Sequence, residues 1–181
     1  MIPDSKGRKN PSRLRNLPAV LLAASLGPLA AGAQTPDECP SPPQIAGELV
    51  RDINAIRAEP RQCGAIHYPA APELTWNEVL FQVAQRHSDD MARRDYFSHV
   101  TPEGLTPGQR AAAAGYSWSS QAENIGVGPV SVKDVLRMWL TSPMHCQAMM
   151  KREYQDVALA CAVGKGKLLW TLELGSQGWE P

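Results

Sequence analysis

Phe97-Ser98-His99-Val100-Thr101-Pro102-Glu103-Gly104, Ala122-Glu123-Asn124-Ile125 and Trp139-Leu140-Thr141-Ser142-Pro143-Met144-His145-Cys146 are the three stretches on which this chain is read. They set two imidazoles and one carboxylate beside Ser, Pro and Gly, at the expected boundaries of regular elements. Loops of that composition present polar side chains to a cavity rather than bury them in a core. His99 falls just past the end of a predicted helix. Glu123 reads as a loop residue between Trp118 and Gly126. His145 follows Ser142-Pro143, where a helix starts and free backbone N–H groups are available.

Helices flank these stretches. Ile45, Leu49, Ile53 and Ile56 recur at steps of four, four and three, and Pro60 ends the run. Residues 61–75 read as a loop, because Pro69 and Pro72 oppose regular pairing. Asn77 caps a second helix whose stripe is Leu80, Val83, Ala84, His87 and Met91, running to about Arg94. A third is expected over 107–114, stopped by Gly115. A fourth starts at Ser131, with Asp134 three residues on, and buries Val132, Val135, Leu136 and Trp139. A last helical turn or two covers 143–150. Val157, Leu159, Cys161 and Val163 alternate with small residues, Gly164-Lys165-Gly166-Lys167 turns, and 168–174 returns as the second strand of a hairpin. Helices outnumber strands, and a small sheet needs cover on both faces. The expected class is α+β, an α–β–α sandwich around a small central antiparallel sheet.

Residues 1–33 read as a secretory signal peptide. Five basic residues lie within 1–15, an apolar run spans 17–30, and Ala31-Gly32-Ala33 offers small residues for cleavage. Pro18, Gly27 and Pro28 interrupt that run, which is short for a membrane span, and no span is expected in the mature chain. Residues 34–43 are then an extended lead-in and 44–181 a single domain, in a secreted or periplasmic protein. The leader removes five basic residues and one acidic one, so 18 against 18 becomes 13 against 17, a net charge of −4. An acidic chain without clustered Lys and Arg excludes nucleic acid as the expected partner. Cys39, Cys63, Cys146 and Cys161 all follow the leader and read as two disulfides. Three pairings are open, and short loop closure favours Cys39–Cys63 with Cys146–Cys161.

His99, Glu123 and His145 are the candidate cavity residues. As a His₂Glu set they are candidate ligands for Zn or another divalent cation, a set that leaves zinc an open position. They serve equally as a hydrogen-bonded cluster in which Glu123 orients an imidazole. No short zinc motif such as H-E-x-x-H is present. His87, on an apolar stripe, reads as a core histidine bonded to backbone, and His67 is unassigned. Ser98 and Ser142 each lie near a His, but neither sits in the G-x-S-x-G setting of a nucleophile.

Taken in order, these stretches resemble the CAP superfamily (cysteine-rich secretory proteins, antigen 5 and pathogenesis-related proteins; the SCP domain), and its bacterial branch in particular. The resemblance runs through Asn54-x-x-Arg57-Ala58, Leu74-Thr75-Trp76-Asn77, His87-Ser88-Asp89-Asp90-Met91, Phe97-Ser98-His99 and Pro102-Glu103-Gly104. It continues through Arg110, Gly115-Tyr116, Glu123-Asn124-Ile125, Trp139, Ser142-Pro143-x-His145 and Trp170-Thr171. It implies a sandwich with a His- and Glu-lined surface cavity, in which His99 and Glu123 match the first cavity His and Glu. His145 is the branch's His after Ser-Pro. Leu172 replaces a usual Gln, the His of a G-H-F-T-Q stretch is absent, Ala122 stands for Gly before Glu123, and Met144 stands where Gly is common. The expectation is an exported CAP-domain protein that binds a metal ion, a lipid or a peptide (or an extracellular protein), leaning away from turnover because no nucleophile is positioned. The alternatives are a metal-dependent hydrolase on the His₂Glu set and a structural or interaction domain with a hydrogen-bonded network.

Overall fold

The computed structural model describes residues 38–178. The expected leader, and residues 34–37 of the lead-in, lie outside the described residues. The elements run α1 (Pro42–Arg57), β1 (Arg61–Cys63), β2 (Ile66–Tyr68), β3 (Thr75–Trp76), α2 (Glu78–Arg94), α3 (Pro107–Ala113), β4 (Trp118–Val127), α4 (Val132–Leu140), α5 (Pro143–Met150), β5 (Asp156–Gly164) and β6 (Lys167–Gln177).

The sheet order is β3-β5-β6-β4. β4–β6 and β5–β6 pair antiparallel, while two-residue β3 joins β5 in parallel. α1 and α4 cover one face, with α5 beside α4 and against β4; α2 and α3 cover the other. This is the α+β sandwich expected from the sequence.

Strand alternation sends neighbouring side chains to opposite faces. Val157, Leu159 and Cys161 of β5 and Leu168, Trp170, Leu172 and Leu174 of β6 join α1 and α4 in the main apolar core. On the α2 face β5 carries Ala158, Ala160, Ala162 and Gly164. Small residues let the helix approach closely: a Cβ on Gly164 would stand 3.0 Å from the Cα of Ala92. Asn77 caps α2 by accepting from the N–H groups of Val79 and Leu80. Ser131 caps α4 by accepting from Asp134 N.

Arg57 explains the Asn54-x-x-Arg57 spacing. Its buried guanidinium donates to the carbonyls of Pro72 (2.8 Å), Met149 (2.6 Å) and Lys151 (2.9 Å), tying α1 to the last turn of α5. Burial lowers its pKa to about 10, so it stays cationic at neutral pH. Asn54 holds Leu74 by both backbone groups, at 2.9 and 2.8 Å.

Four expectations are corrected. Residues 61–75 hold the β1–β2 hairpin and β3 rather than only a loop. The helix expected from Ile45 starts at Pro42, since Pro42 and Pro43 occupy first-turn positions that need no N–H partner. Glu123 lies within strand β4, not in a loop. The disulfides are Cys39–Cys161 and Cys63–Cys146. Helix α1, 16 residues long and about 24 Å at 1.5 Å per residue, separates Cys39 from Cys63. Cys161 meets Cys39 on the α1 face of β5, and Cys146 of α5 meets β1.

Candidate functional site

β4 places Gln121, Glu123 and Ile125 on the α2 face and Ala122, Asn124 and Gly126 on the α1/α4 face. Ile125 packs with Met91 and Leu169, while Ala122 packs on the main core. Glu123 is thus carried beneath the loop that follows α2. Its side chain is 1 % exposed, and an ionised carboxylate there requires partners.

Those partners come from separate elements. Glu123 Oε1 meets His99 Nδ1 at 2.7 Å. Oε2 accepts from Arg110 Nη2 of α3. Arg110 Nη1 donates back to the carbonyls of His99 (2.8 Å) and Leu105 (3.2 Å), so one guanidinium holds both the carboxylate and the loop that carries the imidazole. His87 Nε2 donates to Ser98 O at 3.0 Å and stands 3.9 Å from Glu123 Oε2. The carbonyl can only accept, which puts the proton of neutral His87 on Nε2.

The electrostatics follow from these contacts. Burial raises the Glu123 pKa, but the His99 bond, the Arg110 charge and His87 outweigh it and hold the group below the usual carboxylate range. Burial lowers His87, opposed in part by Glu123. With Nδ1–H facing Glu123, neutral His99 leaves Nε2 as an unshared acceptor, and the side chain is 47 % exposed.

His145 is close but separate. Its backbone carbonyl accepts from Asn124 Nδ2 at 3.2 Å, on the α1/α4 face, and its ring lies 6.5 Å from that of Trp139. The ring makes no hydrogen bond or ion pair among the described residues. Burial lowers its pKa, and His99 adds to that effect whenever it is protonated. His99 and Glu123 are therefore in contact, and among the described residues no hydrogen bond or ion pair joins His145 to either. Among the described residues no group of three or more His, Cys, Asp or Glu side chains is arranged to hold a metal ion, and both Glu123 oxygens already have partners. Ser98 Oγ accepts from Val100 N, which makes it a turn residue. Ser142 starts α5 without a side-chain cap bond.

Sequence reasoning missed two members of this network. Arg110 stood only as part of the ordered resemblance, and Glu173 of β6 was not singled out. The signal for Glu173 was a lone carboxylate within the apolar run 168–174. His87 is the buried, backbone-bonded histidine expected, and it also stands against the network. A cleft of about 450 Å³ opens beside it, lined by His87 and Arg110 together with Arg86, Asp89, Thr101 and Glu103.

Residues 50–174 match the family profile described as CAP, cysteine-rich secretory protein family. The chain belongs to this family. Solved structures agree on the fold. An outer surface protein of Borrelia burgdorferi superposes with a TM-score of 0.66 at 17 % identity, covering 77 % of this chain and 97 % of that one. An extracellular protein containing an SCP domain from Bacillus anthracis gives 0.61 at 22 % identity, covering 77 % and 45 %. Among curated relatives, the uncharacterized membrane protein YlbC of Bacillus subtilis is 29 % identical over 87 residues, 48 % of this CAP chain and 25 % of its own length. The uncharacterized protein YkwD of the same organism is 26 % identical over 86 residues, 48 % and 34 %. The match therefore spans a quarter to a third of those relatives. No helix among the described residues of this CAP protein is long and apolar enough to cross a membrane.

Proposed function

We propose that this CAP protein is an exported binding protein that recognises its ligand through the exposed imidazole of His99, with Glu123, Arg110 and His87 as the support that fixes that ring. One observation carries the reading: an imidazole 47 % exposed is bonded through Nδ1 to a carboxylate 1 % exposed. The buried partner removes rotational freedom from the ring and directs Nε2 outward as an acceptor. Two disulfides and family membership support a place outside the cytoplasm, secreted or periplasmic. Among the described residues no hydroxyl or thiol is hydrogen-bonded to the His87 or His99 ring, which supports binding over turnover. The ligand chemistry that fits is a hydrogen-bond donor on a peptide or lipid headgroup.

Titration of the protein with Zn²⁺, with phospholipid vesicles and with peptide pools, followed through the His99 ring resonances, tests this. The expected result is that a lipid or peptide shifts His99 while Glu123→Gln weakens the response. Stoichiometric Zn²⁺ binding lost in a His99→Ala/His145→Ala double variant would replace the reading with a metal centre. Reproducible hydrolysis lost in His99→Ala would replace it with an enzyme.

A further inference from the structure

Glu173 stands directly opposite Glu123 in the β4–β6 ladder, so both carboxyl groups leave the sheet on the α2 face. Both side chains are buried, Glu173 completely. Their partners are unequal. Glu123 receives His99 and Arg110. Among the described residues Glu173 receives only the amide of Gln121, on Oε2 at 2.7 Å. No N–H or hydroxyl donor of the described residues is directed at its Oε1, and the carboxyl across the ladder is that of Glu123, a direct pairing that sets the two Cβ atoms about 5 Å apart. Two ionised carboxylates can only accept, so a buried pair at that range needs one proton between them.

The surroundings decide which carboxyl carries it. His87 faces the pair from α2, His99 from the loop between α2 and α3, Arg110 from α3 and Gln121 from β4. On β5 the residue opposite Glu173 is Ala158. The cationic contacts go to Glu123. Burial and then the Glu123 charge push the Glu173 carboxyl well up, and Arg110 only partly offsets them.

We propose that Glu173 is a neutral carboxylic acid whose Oε1–H donates to Glu123, making it a positioning residue that holds this carboxylate in line with His99. Such a bond is charge-assisted, stronger than one between neutral groups, and adds no second negative charge to the buried cluster. It also accounts for the one Glu173 oxygen that receives no donor. The inference deepens the His99 reading and rests on it for its functional meaning. The acid itself is detectable whether or not His99 meets a ligand, so the two fail separately.

The test is difference infrared spectroscopy of the whole protein at neutral pH, where the C=O stretch of a buried neutral carboxylic acid is resolved from the carboxylate bands. The expected result is such a band in the wild type and its loss in Glu173→Gln. No band in the wild type, or an unchanged band in Glu173→Gln, would overturn the assignment. Proton NMR of His99 Nδ1–H tests the positioning role. The hydrogen-bonded signal should persist in Glu173→Gln, whose amide still donates to Glu123, and weaken or shift upfield in Glu173→Leu. An unchanged signal in a folded Glu173→Leu protein would overturn that role. Should the leucine variant fail to fold, loss of the signal in Glu173→Gln, which keeps size and donor, would overturn it equally.

Discussion

The two faces of the sheet are built on different principles. Toward α1 and α4, strands β5 and β6 present Val157, Leu159, Leu168, Trp170, Leu172 and Leu174, and the facing helices answer with Leu49, Ile53, Val135 and Trp139. Burial of apolar area stabilises that face without needing any pair to be exact in geometry. Toward α2 the same strands carry Ala and Gly around Thr171 and Glu173, with Glu123 beside them on β4. Here Ser88 Oγ meets Thr171 Oγ1 at 2.9 Å, and the carboxylates are held by Gln121, Arg110 and His99. Loss of one partner on this face leaves another polar group buried alone. The apolar face supplies stability, and the polar face supplies a defined geometry beneath an exposed imidazole.

This contrast can be broken by experiment. Trp139→Ala, which empties the apolar face and removes the Nε1 bond to Ile125 O at 3.0 Å, should cost about 3–5 kcal/mol in a denaturant titration. Glu123→Leu is the sharper test of the polar face. If that face only packed, leucine would be neutral or stabilising. The expected outcome is a loss of about 3 kcal/mol, because the buried Arg110 guanidinium is left without its carboxylate. Replacing Cys39 and Cys161 by Ser should cost roughly 2–4 kcal/mol, since their link closes a long loop in the unfolded chain. Peptide mapping without reduction checks the pairing itself; a Cys39–Cys63 peptide would sink it.

Smaller effects concern protonation. Glu173 has a folded pKa raised above its unfolded value near 4.5. Its contribution to stability is therefore complete below the unfolded value and is lost as pH rises through the folded one. In that window the loss is about 1.4 kcal/mol per pH unit. Glu173→Gln should remove this slope, so its stability relative to wild type improves as pH rises; parallel curves would contradict a neutral Glu173. His99→Gln should change stability least, by about 0.5 kcal/mol or less, because the glutamine amide still donates to Glu123 from a half-exposed position. Its effect is expected on ligand response instead, read by the titrations above.

Much of the fold was legible because its signals are local. The α2 stripe from Leu80 to Met91, the Asn77 and Ser131 caps, and the Gly164–Lys167 turn each follow from residues within one or two helical turns or a hairpin. At the turn, Lys165 and Gly166 both adopt positive φ (49° and 70°), which glycine accommodates and the tight reversal requires. Strand β4 was not legible. Its sequence Ser119-Ser120-Gln121-Ala122-Glu123-Asn124 is polar on the face that elsewhere would be apolar, and only Arg110, His99 and Glu173 make such a strand tolerable inside the protein. The short β1 and β2 strands were hidden for a similar reason: three residues carry no period to read.

The site divides along the same line. The sequence by itself determined the family, the helix boundaries within a few residues, the presence of two disulfides, and a cluster in which Glu123 orients an imidazole as one of two readings. Only the tertiary structure decided that Glu123 lies in a strand, that Arg110 holds its carboxylate and Glu173 stands opposite it, and that Cys39 meets Cys161 across 122 residues. Helix stripes, caps and turns are set by neighbours a few positions away. Contacts across a sheet join residues dozens of positions apart, and they exist only once the chain has folded and burial has made each polar group depend on its partner.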